Sequence, residues 1–86
     1  MYNDTLAPRA TFDAAYDTIG GRISLARDAV GLSVDEASAV TGVTTETWAN
    51  WENDRAAPRA NRLDMLARIL QVSIAWLLHG QGTGPR

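Results

Sequence analysis

The segment from Ser33 to Thr44 contains a helix start, a helix stop and a second helix start within twelve residues. Ser33 with Glu36 three residues later is a capping box, in which each side chain accepts a hydrogen bond from the other residue's backbone N–H. Gly42 is a typical C-terminal stop, and Thr44 is a residue type that caps the next helix. Two short helices joined by a tight turn that contains a glycine are therefore predicted, a pattern that many small all-α domains share.

A longer helix is predicted upstream by apolar residues at helical spacing. They are Phe12, Tyr16, Ile19, Ile23, Ala26 and Val30. Because a glycine inside a helix costs roughly 1 kcal/mol, the pair Gly20 and Gly21 predicts a break near residues 17–20, with Thr18 capping the helix proper. Residues 11–17 would then form a separate helical turn or a weak extension.

Two more helices are predicted after Pro58. The apolar residues of the first are Leu63, Leu66, Ala67, Ile69 and Leu70, and those of the second are Ile74, Trp76, Leu77 and Leu78. Ser73 is the expected cap of the second helix, which runs up to Gly80, and His79 is expected to cap its carbonyl end.

The predicted fold class is all-α, a compact five-helix domain, because no alternation typical of β-strands occurs in the chain. Residues 1–17 are expected to form an N-terminal arm, residues 18–80 the folded domain and residues 81–86 a flexible tail. A chain of 86 residues makes one domain, and without cysteine it has no disulfide to stabilise it.

Helical spacing also predicts which residues of the two short central helices face the core. From the first short helix they are Ala37 and Val40, and from the second Val43, Thr47, Trp48 and Trp51. The two tryptophans are interpreted as core residues, because an indole buries a large apolar area. Stacking of bases on such rings belongs to single-strand recognition, which uses exposed aromatic side chains.

The charge balance limits the classes of function. The formal net charge is -2, which argues weakly against nucleic acid, although the arginines cluster between Arg55 and Arg68. No apolar run approaches the roughly 20 residues that cross a bilayer, and the first residues lack the features of a signal peptide, so a cytoplasmic location is expected. With one histidine and no cysteine, no metal site, cofactor, small-molecule substrate or catalytic group is expected, and the protein is predicted not to be an enzyme.

Several phrases follow one another in order between Ile19 and Gly82. They are IGGRISLAR, GLS, TGVTTETWANWEND, a proline after a basic loop, and LARILQVSIAWLLHGQG. Together they resemble the phage-repressor-like helix-turn-helix family of the Cro and lambda-repressor type, also called the XRE family. The resemblance implies a sequence-specific transcriptional regulator that binds double-stranded DNA, with helix two (about 34–41) across the backbone and helix three (about 44–53) in the major groove.

The resemblance also implies roles for single residues. Positions that usually face bases or the nearby backbone are Thr44, Thr45, Glu46 and Asn50. Positions that usually touch phosphates are Ser33, Val34, Asn53, Arg55 and Arg59. Arg27 and Glu52 match a pair that forms an internal salt bridge between helix one and the end of helix three. Val34 departs from the family, which often has Gln there, although backbone N–H groups at that helix start can still bind phosphate.

These roles have simpler alternatives. Glu46 can accept a hydrogen bond from cytosine N4, and Asn50 can bond adenine N6 and N7, but either can equally be an idle surface residue. Arg55 and Arg59 flank a loop that the family lays along the DNA backbone, yet together with Arg62 they could be a solvated charge cluster.

Dimerisation is expected because one helix-turn-helix module contacts a single half-site. An apolar patch for a homodimer, or for another protein partner, could come from Phe12 and Tyr16 or from Ile74 and Leu78. The alternative to a DNA-binding regulator is an antitoxin-like or accessory protein-interaction module that retains this fold with little DNA affinity.

Overall fold

The computed structural model describes residues 18–85. It contains the helices α1 (Ile19–Ala29), α2 (Val34–Thr41), α3 (Thr45–Glu52), α4 (Ala60–Leu70) and α5 (Ile74–His79). No residue of 18–85 lies in a strand, so the prediction of an all-α domain is confirmed. The turn predicted at residues 11–17, together with Phe12 and Tyr16, lies outside the described residues. In this range no helix is long and apolar enough to span a membrane.

Four helix starts use the predicted caps. The hydroxyls of Thr18, Ser33, Thr44 and Ser73 each accept a backbone N–H in the first turn of the following helix. The capping box of α2 is complete, because the Ser33 N–H also donates to Glu36 Oε1 at 2.8 Å. Each cap of this kind is worth about 1 kcal/mol, so the predicted boundaries have local causes.

Gly20 marks a close approach of two helices and not a break in the chain. It lies in the first turn of α1, directly after the Thr18 cap. A Cβ at this position would stand 2.4 Å from the carbonyl oxygen of Trp51 and 2.7 Å from that of Glu52. The glycine therefore lets α1 pass against the end of α3, and the prediction that Gly20 falls in a break is wrong.

The core is formed by the inward faces of all five helices. Its buried apolar side chains are Ile23, Ala26, Ala37, Trp48, Trp51, Leu66, Ala67, Leu70, Val72, Trp76 and Leu77. Trp48 is fully buried, Trp51 is 5% exposed, and their ring centroids lie 5.5 Å apart. The interpretation of both tryptophans as core residues is confirmed.

Val40 is not a core residue, and the prediction that it faces inward is wrong. Its exposed fraction is 59%, whereas Ala37, Ser38 and Thr41 are buried. With about 100° of rotation per residue, the centre of that buried face lies roughly 110° from Val40. Small side chains therefore form the packed face of α2, and the larger valine points to solvent.

The carbonyl end of α5 is satisfied by Arg22, and the prediction that His79 caps it is wrong. Arg22 Nε donates to the Leu77 carbonyl at 2.8 Å, and its Nη2 donates to the Leu78 carbonyl at 2.9 Å. The Arg22 side chain is buried, while His79 is exposed. A cation at a helix C-terminus is favoured by the helix dipole, and here it comes from α1.

Residues after α5 contact the folded body. The Ser73 N–H donates to the Thr83 carbonyl at 2.9 Å. Gly84 lies against the Trp76 indole so closely that a Cβ would stand 2.7 Å from Nε1. The N-terminal end of α5 is therefore covered by residues 83 and 84.

Candidate nucleic-acid interface

The outward face of α3 is opposite its two tryptophans. Trp48 and Trp51 point into the core, while Glu46 is exposed and Asn50 is half-buried on the other side. Glu46, Asn50 and Asn53 follow one another at spacings of four and three residues, so they share one face of the helix. Thr45 is also exposed, at the edge of this face.

Thr44 is exposed, but its hydroxyl already has partners. Its oxygen accepts from the Thr47 N–H at 3.0 Å, and its proton is donated to Thr47 Oγ1 at 3.0 Å. One acceptor lone pair remains for an incoming group. As a base-contacting candidate, Thr44 therefore offers less than Glu46 and Asn50.

The Glu52 carboxylate is held inside the domain. Arg27 Nε donates to Glu52 Oε2 at 2.5 Å and Arg27 Nη2 donates to Oε1 at 3.2 Å, with 17% and 12% of the two side chains exposed. The hydrogen bond to Glu52 raises the pKa of Arg27, as expected for a cation that gains an anionic partner. The structure thus forms the ion pair that the family resemblance implied.

Trp48 is a further partner of this ion pair, which sequence reasoning missed. Its Nε1–H donates to the same Glu52 Oε2 at 2.5 Å. Sequence spacing could have indicated this contact, because Trp48 and Glu52 lie four residues apart on one helix and residues at this spacing are neighbours on the helix surface. The negative charge of Glu52 is therefore matched by the Arg27 guanidinium, and its Oε2 also accepts the Trp48 indole N–H.

Asp54 is exposed, but one of its carboxylate oxygens contacts the start of α1. Its backbone is left-handed, with φ 59°, and its Oδ1 accepts the Gly20 N–H at 2.9 Å. A carboxylate at the N-terminus of α1 is favoured by the helix dipole. Of the acidic side chains in residues 45–54, only Glu46 therefore has no hydrogen-bond or ion-pair partner within residues 18–85.

The start of α2 is less suited to a phosphate than the family pattern implied. Val34 is half-buried and packs against the core, and the Ser33 N–H is already bound by Glu36. Asp35 and Glu36 place two carboxylates in the first turn of α2. A phosphate approaching this helix end would meet negative charge, although the helix dipole still favours an anion.

Arg55 and Arg59 are the arginines most available for contact. Both are exposed, and neither side chain has a hydrogen-bond or ion-pair partner within residues 18–85. By contrast, Arg68 pairs with Asp64 at 3.3 Å, and Arg62 donates to the Thr41 carbonyl at 3.3 Å. Within residues 18–85, the exposed arginine side chains without a partner therefore lie in the loop between α3 and α4.

A groove of about 410 Å³ lies between the turn and this loop. Residues 42–44 and Thr47 form one side, and Arg59 and Arg62 form the other. The groove places positive charge beside the start of α3 as well as beyond its end.

Comparison with known proteins decides the family. A family model described as helix-turn-helix matches residues 23–77, well over half of the chain. The chain belongs to the helix-turn-helix family of the Cro and lambda-repressor type. Members of this family bind DNA, so the protein is a DNA-binding regulator with double-stranded DNA as its partner. Comparisons with curated proteins and with solved structures gave no significant match.

The matched range contains both helices of the motif. Because α2 and α3 lie inside it together with the inward tryptophans, the helix-turn-helix protein has its recognition elements in the expected order.

Proposed function

We propose that this helix-turn-helix protein is a sequence-specific regulator that inserts α3 into the major groove and binds DNA as a dimer. The observation that carries the proposal is the division of charges around α3. The Glu52 carboxylate is paired with Arg27 and one oxygen of the exposed Asp54 accepts the Gly20 N–H, whereas Arg55 and Arg59 are exposed without partners in the described range. Both arginines of this segment are therefore open to phosphates, while the charge of Glu52 is already matched by Arg27.

Base reading is assigned to the outward face of α3. Glu46 accepts a hydrogen bond from cytosine N4, Asn50 bonds both N6 and N7 of adenine, and the Thr45 methyl packs on thymine. These contacts select a sequence and add little attraction. Thr44 contributes only its remaining lone pair.

Phosphate binding is assigned mainly to the loop after α3. Arg55 and Arg59 supply charge, and Asn53 lies beside them. At the start of α2 the Ser33 N–H is already bound by Glu36, so only the Val34 backbone N–H is assigned a contact there, and the neighbouring carboxylates weaken it. The phosphate-dependent term is therefore small, and a second copy is needed for tight binding.

A dimer surface is available on α5. Ile74 and Leu78 are each 37% exposed, and their spacing of four residues puts them on one face of the helix. Pairing two copies through this face covers both apolar side chains and repeats the recognition helix for a second half-site.

Binding to a duplex is expected to fall steeply with salt and to depend on two arginines. Arg55→Ala and Arg59→Ala should each weaken binding, and each should reduce the slope of log K against log salt by about 1, because each removes one phosphate contact. Titration of a labelled duplex across a salt series measures both quantities.

Arg68→Ala is the matched control for this series. Arg68 is exposed like the other two but pairs with Asp64 on α4. It should leave the affinity and the slope near those of the parent chain. Equal effects of Arg55→Ala and Arg68→Ala would contradict the assignment of phosphate contacts to the loop.

Selection of bound duplexes from a random pool is expected to return two related half-sites with a preferred cytosine in each. Glu46→Gln should relax or change the preference at that position and leave the other positions as they were, because only one acceptor is altered. Selected sequences without two-fold symmetry would contradict the dimer, and an unchanged preference would remove Glu46 from the base contacts.

One observation favours the alternative, a protein-interaction module with little DNA affinity. The α2 N-terminus, with Asp35 and Glu36, is unfavourable for phosphate. Failure of the parent chain to bind any duplex at low salt would establish this alternative over the proposed function.

A further inference from the structure

The end of α3 has an acidic residue where helices usually have glycine. The Arg55 N–H donates to the Asn50 carbonyl at 2.9 Å, and the Asp54 N–H donates to the Trp51 carbonyl at 3.2 Å. These two bonds define a Schellman motif, whose left-handed position is here Asp54, with φ 59°. Since the left-handed conformation is unfavourable for a residue with a side chain, a compensating contact is expected.

The compensating contact is made across the domain. Asp54 Oδ1 accepts the Gly20 N–H at 2.9 Å, between residues 34 positions apart in the chain. Gly21 in the same turn donates to Thr18 Oγ1 at 3.0 Å. Two N–H groups in the first turn of α1, which have no partner within the helix, are thus satisfied. The Gly21 N–H is bound by the Thr18 cap and the Gly20 N–H by Asp54 after the end of α3.

We propose that Asp54 is a positioning residue for DNA binding, because it locks the end of α3 onto α1 and sets the direction in which Arg55 leaves the helix. The inference rests on the proposed role of Arg55 in phosphate contact. Arg55 follows Asp54 directly, and the N–H groups of both Arg55 and Ala56 donate to the Asn50 carbonyl, at 2.9 and 3.3 Å. The chain around Arg55 is therefore held on one side by α3 and on the other by α1.

Backbone direction matters here because nothing else orients the side chain. The Arg55 guanidinium is exposed and has no partner in the described part of the chain. A cation whose backbone is held in place loses less freedom on binding a phosphate, which favours the complex.

The charge of Asp54 acts in the opposite direction. A carboxylate beside Arg55 reduces attraction to phosphate, and its position at the N-terminus of α1 only partly offsets this. The two effects must therefore be separated by a pair of variants that both lack the carboxylate charge. The two variants should differ only in whether residue 54 can accept the Gly20 N–H.

Asp54→Asn and Asp54→Gly provide that separation. Both remove the charge, and both residue types accept the left-handed conformation, but only Asn keeps an oxygen that accepts the Gly20 N–H. Asp54→Asn is expected to bind the selected duplex at least as tightly as the parent. Asp54→Gly is expected to bind about fivefold more weakly than Asp54→Asn.

The same comparison in an Arg55→Ala background tests whether the effect passes through Arg55. There the ratio between the Asn and Gly variants should fall to about one, because no guanidinium remains to be positioned. A merely structural role would shift thermal stability without this dependence on Arg55. All affinities are measured well below the unfolding midpoint of the least stable variant, with Gly20 amide exchange reporting the hydrogen bond itself.

Equal duplex affinity of Asp54→Asn and Asp54→Gly would overturn the inference while leaving the proposed function intact. A ratio that persists unchanged without Arg55 would overturn it as well. If the parent chain binds no duplex, the proposed function fails first, and this inference fails with it.

Discussion

Glu52→Ala is expected to lower the free energy of unfolding by about 3 kcal/mol. The change leaves the Arg27 guanidinium, 17% exposed, with the Leu32 carbonyl as its remaining bonded partner, and it removes the acceptor of the Trp48 indole N–H. A largely buried charge without its counterion is strongly destabilising, and an unsatisfied buried donor adds to the effect. Urea unfolding followed by tryptophan fluorescence measures the loss, since Trp48 and Trp51 both lie in the core.

Glu46→Ala is the matched control, because it removes the same side chain from the same helix at an exposed position. It should change stability by no more than about 0.5 kcal/mol. If the two variants lose similar stability, the importance assigned to the buried carboxylate is wrong.

Removing both charges tests the ion pair itself. Arg27→Met combined with Glu52→Ala is expected to lose less stability than the sum of the two single changes, by about 1–3 kcal/mol. Additive losses would mean that the two groups do not stabilise each other, despite the 2.5 Å separation of Arg27 Nε from Glu52 Oε2.

Gly20→Ala is the second change with a large expected effect, a loss of about 2–3 kcal/mol. The new Cβ would stand 2.4 Å from the Trp51 carbonyl oxygen and 2.7 Å from that of Glu52. Both are backbone atoms, so α1 and α3 must move apart, which also strains the bond from Gly20 to Asp54. The higher helix propensity of alanine, about 1 kcal/mol, offsets only part of this. Thermal and urea unfolding measure the difference.

Gly42→Ala separates steric overlap from backbone strain. Gly42 has φ 75°, and no atom lies within 4 Å of the Cβ that would be added. Its replacement should cost about 1 kcal/mol, through conformation alone. A Gly20→Ala variant that is no less stable than Gly42→Ala would contradict the close approach of the two helices.

Both large effects concern the same contact between α1 and α3. Arg27 and Gly20 on α1 meet Glu52 and Asp54 at the end of α3. The proposed recognition helix α3 is therefore oriented by α1, although α1 lies outside the helix-turn-helix motif itself. Disturbing this contact can also move α3 and so change DNA binding. The DNA affinity of these variants should therefore be measured only under conditions in which each variant is folded.

Helix boundaries could be predicted because their causes are local. Thr18, Ser33, Thr44 and Ser73 each accept a hydrogen bond from an N–H within the next three residues, and Gly42 ends α2 in the left-handed conformation. Such interactions depend on neighbouring residues only, so start and stop signals can be read directly along the chain. The helix-turn-helix pattern and the inward tryptophans followed from local patterns of this kind, whereas the family was indicated by the resemblance of whole phrases between Ile19 and Gly82.

The sequence by itself therefore determined where the helices begin and end, which family the chain resembles and which residues are candidates for DNA contact. Only the tertiary structure decided that Val40 faces outward, that Arg22 replaces His79 at the end of α5, and that Asp54 binds Gly20. The physical reason is distance along the chain. The hydrogen bonds of Arg22 and Asp54 join segments that are far apart in the chain, and the outward direction of Val40 depends on how α2 packs, which no local spacing encodes.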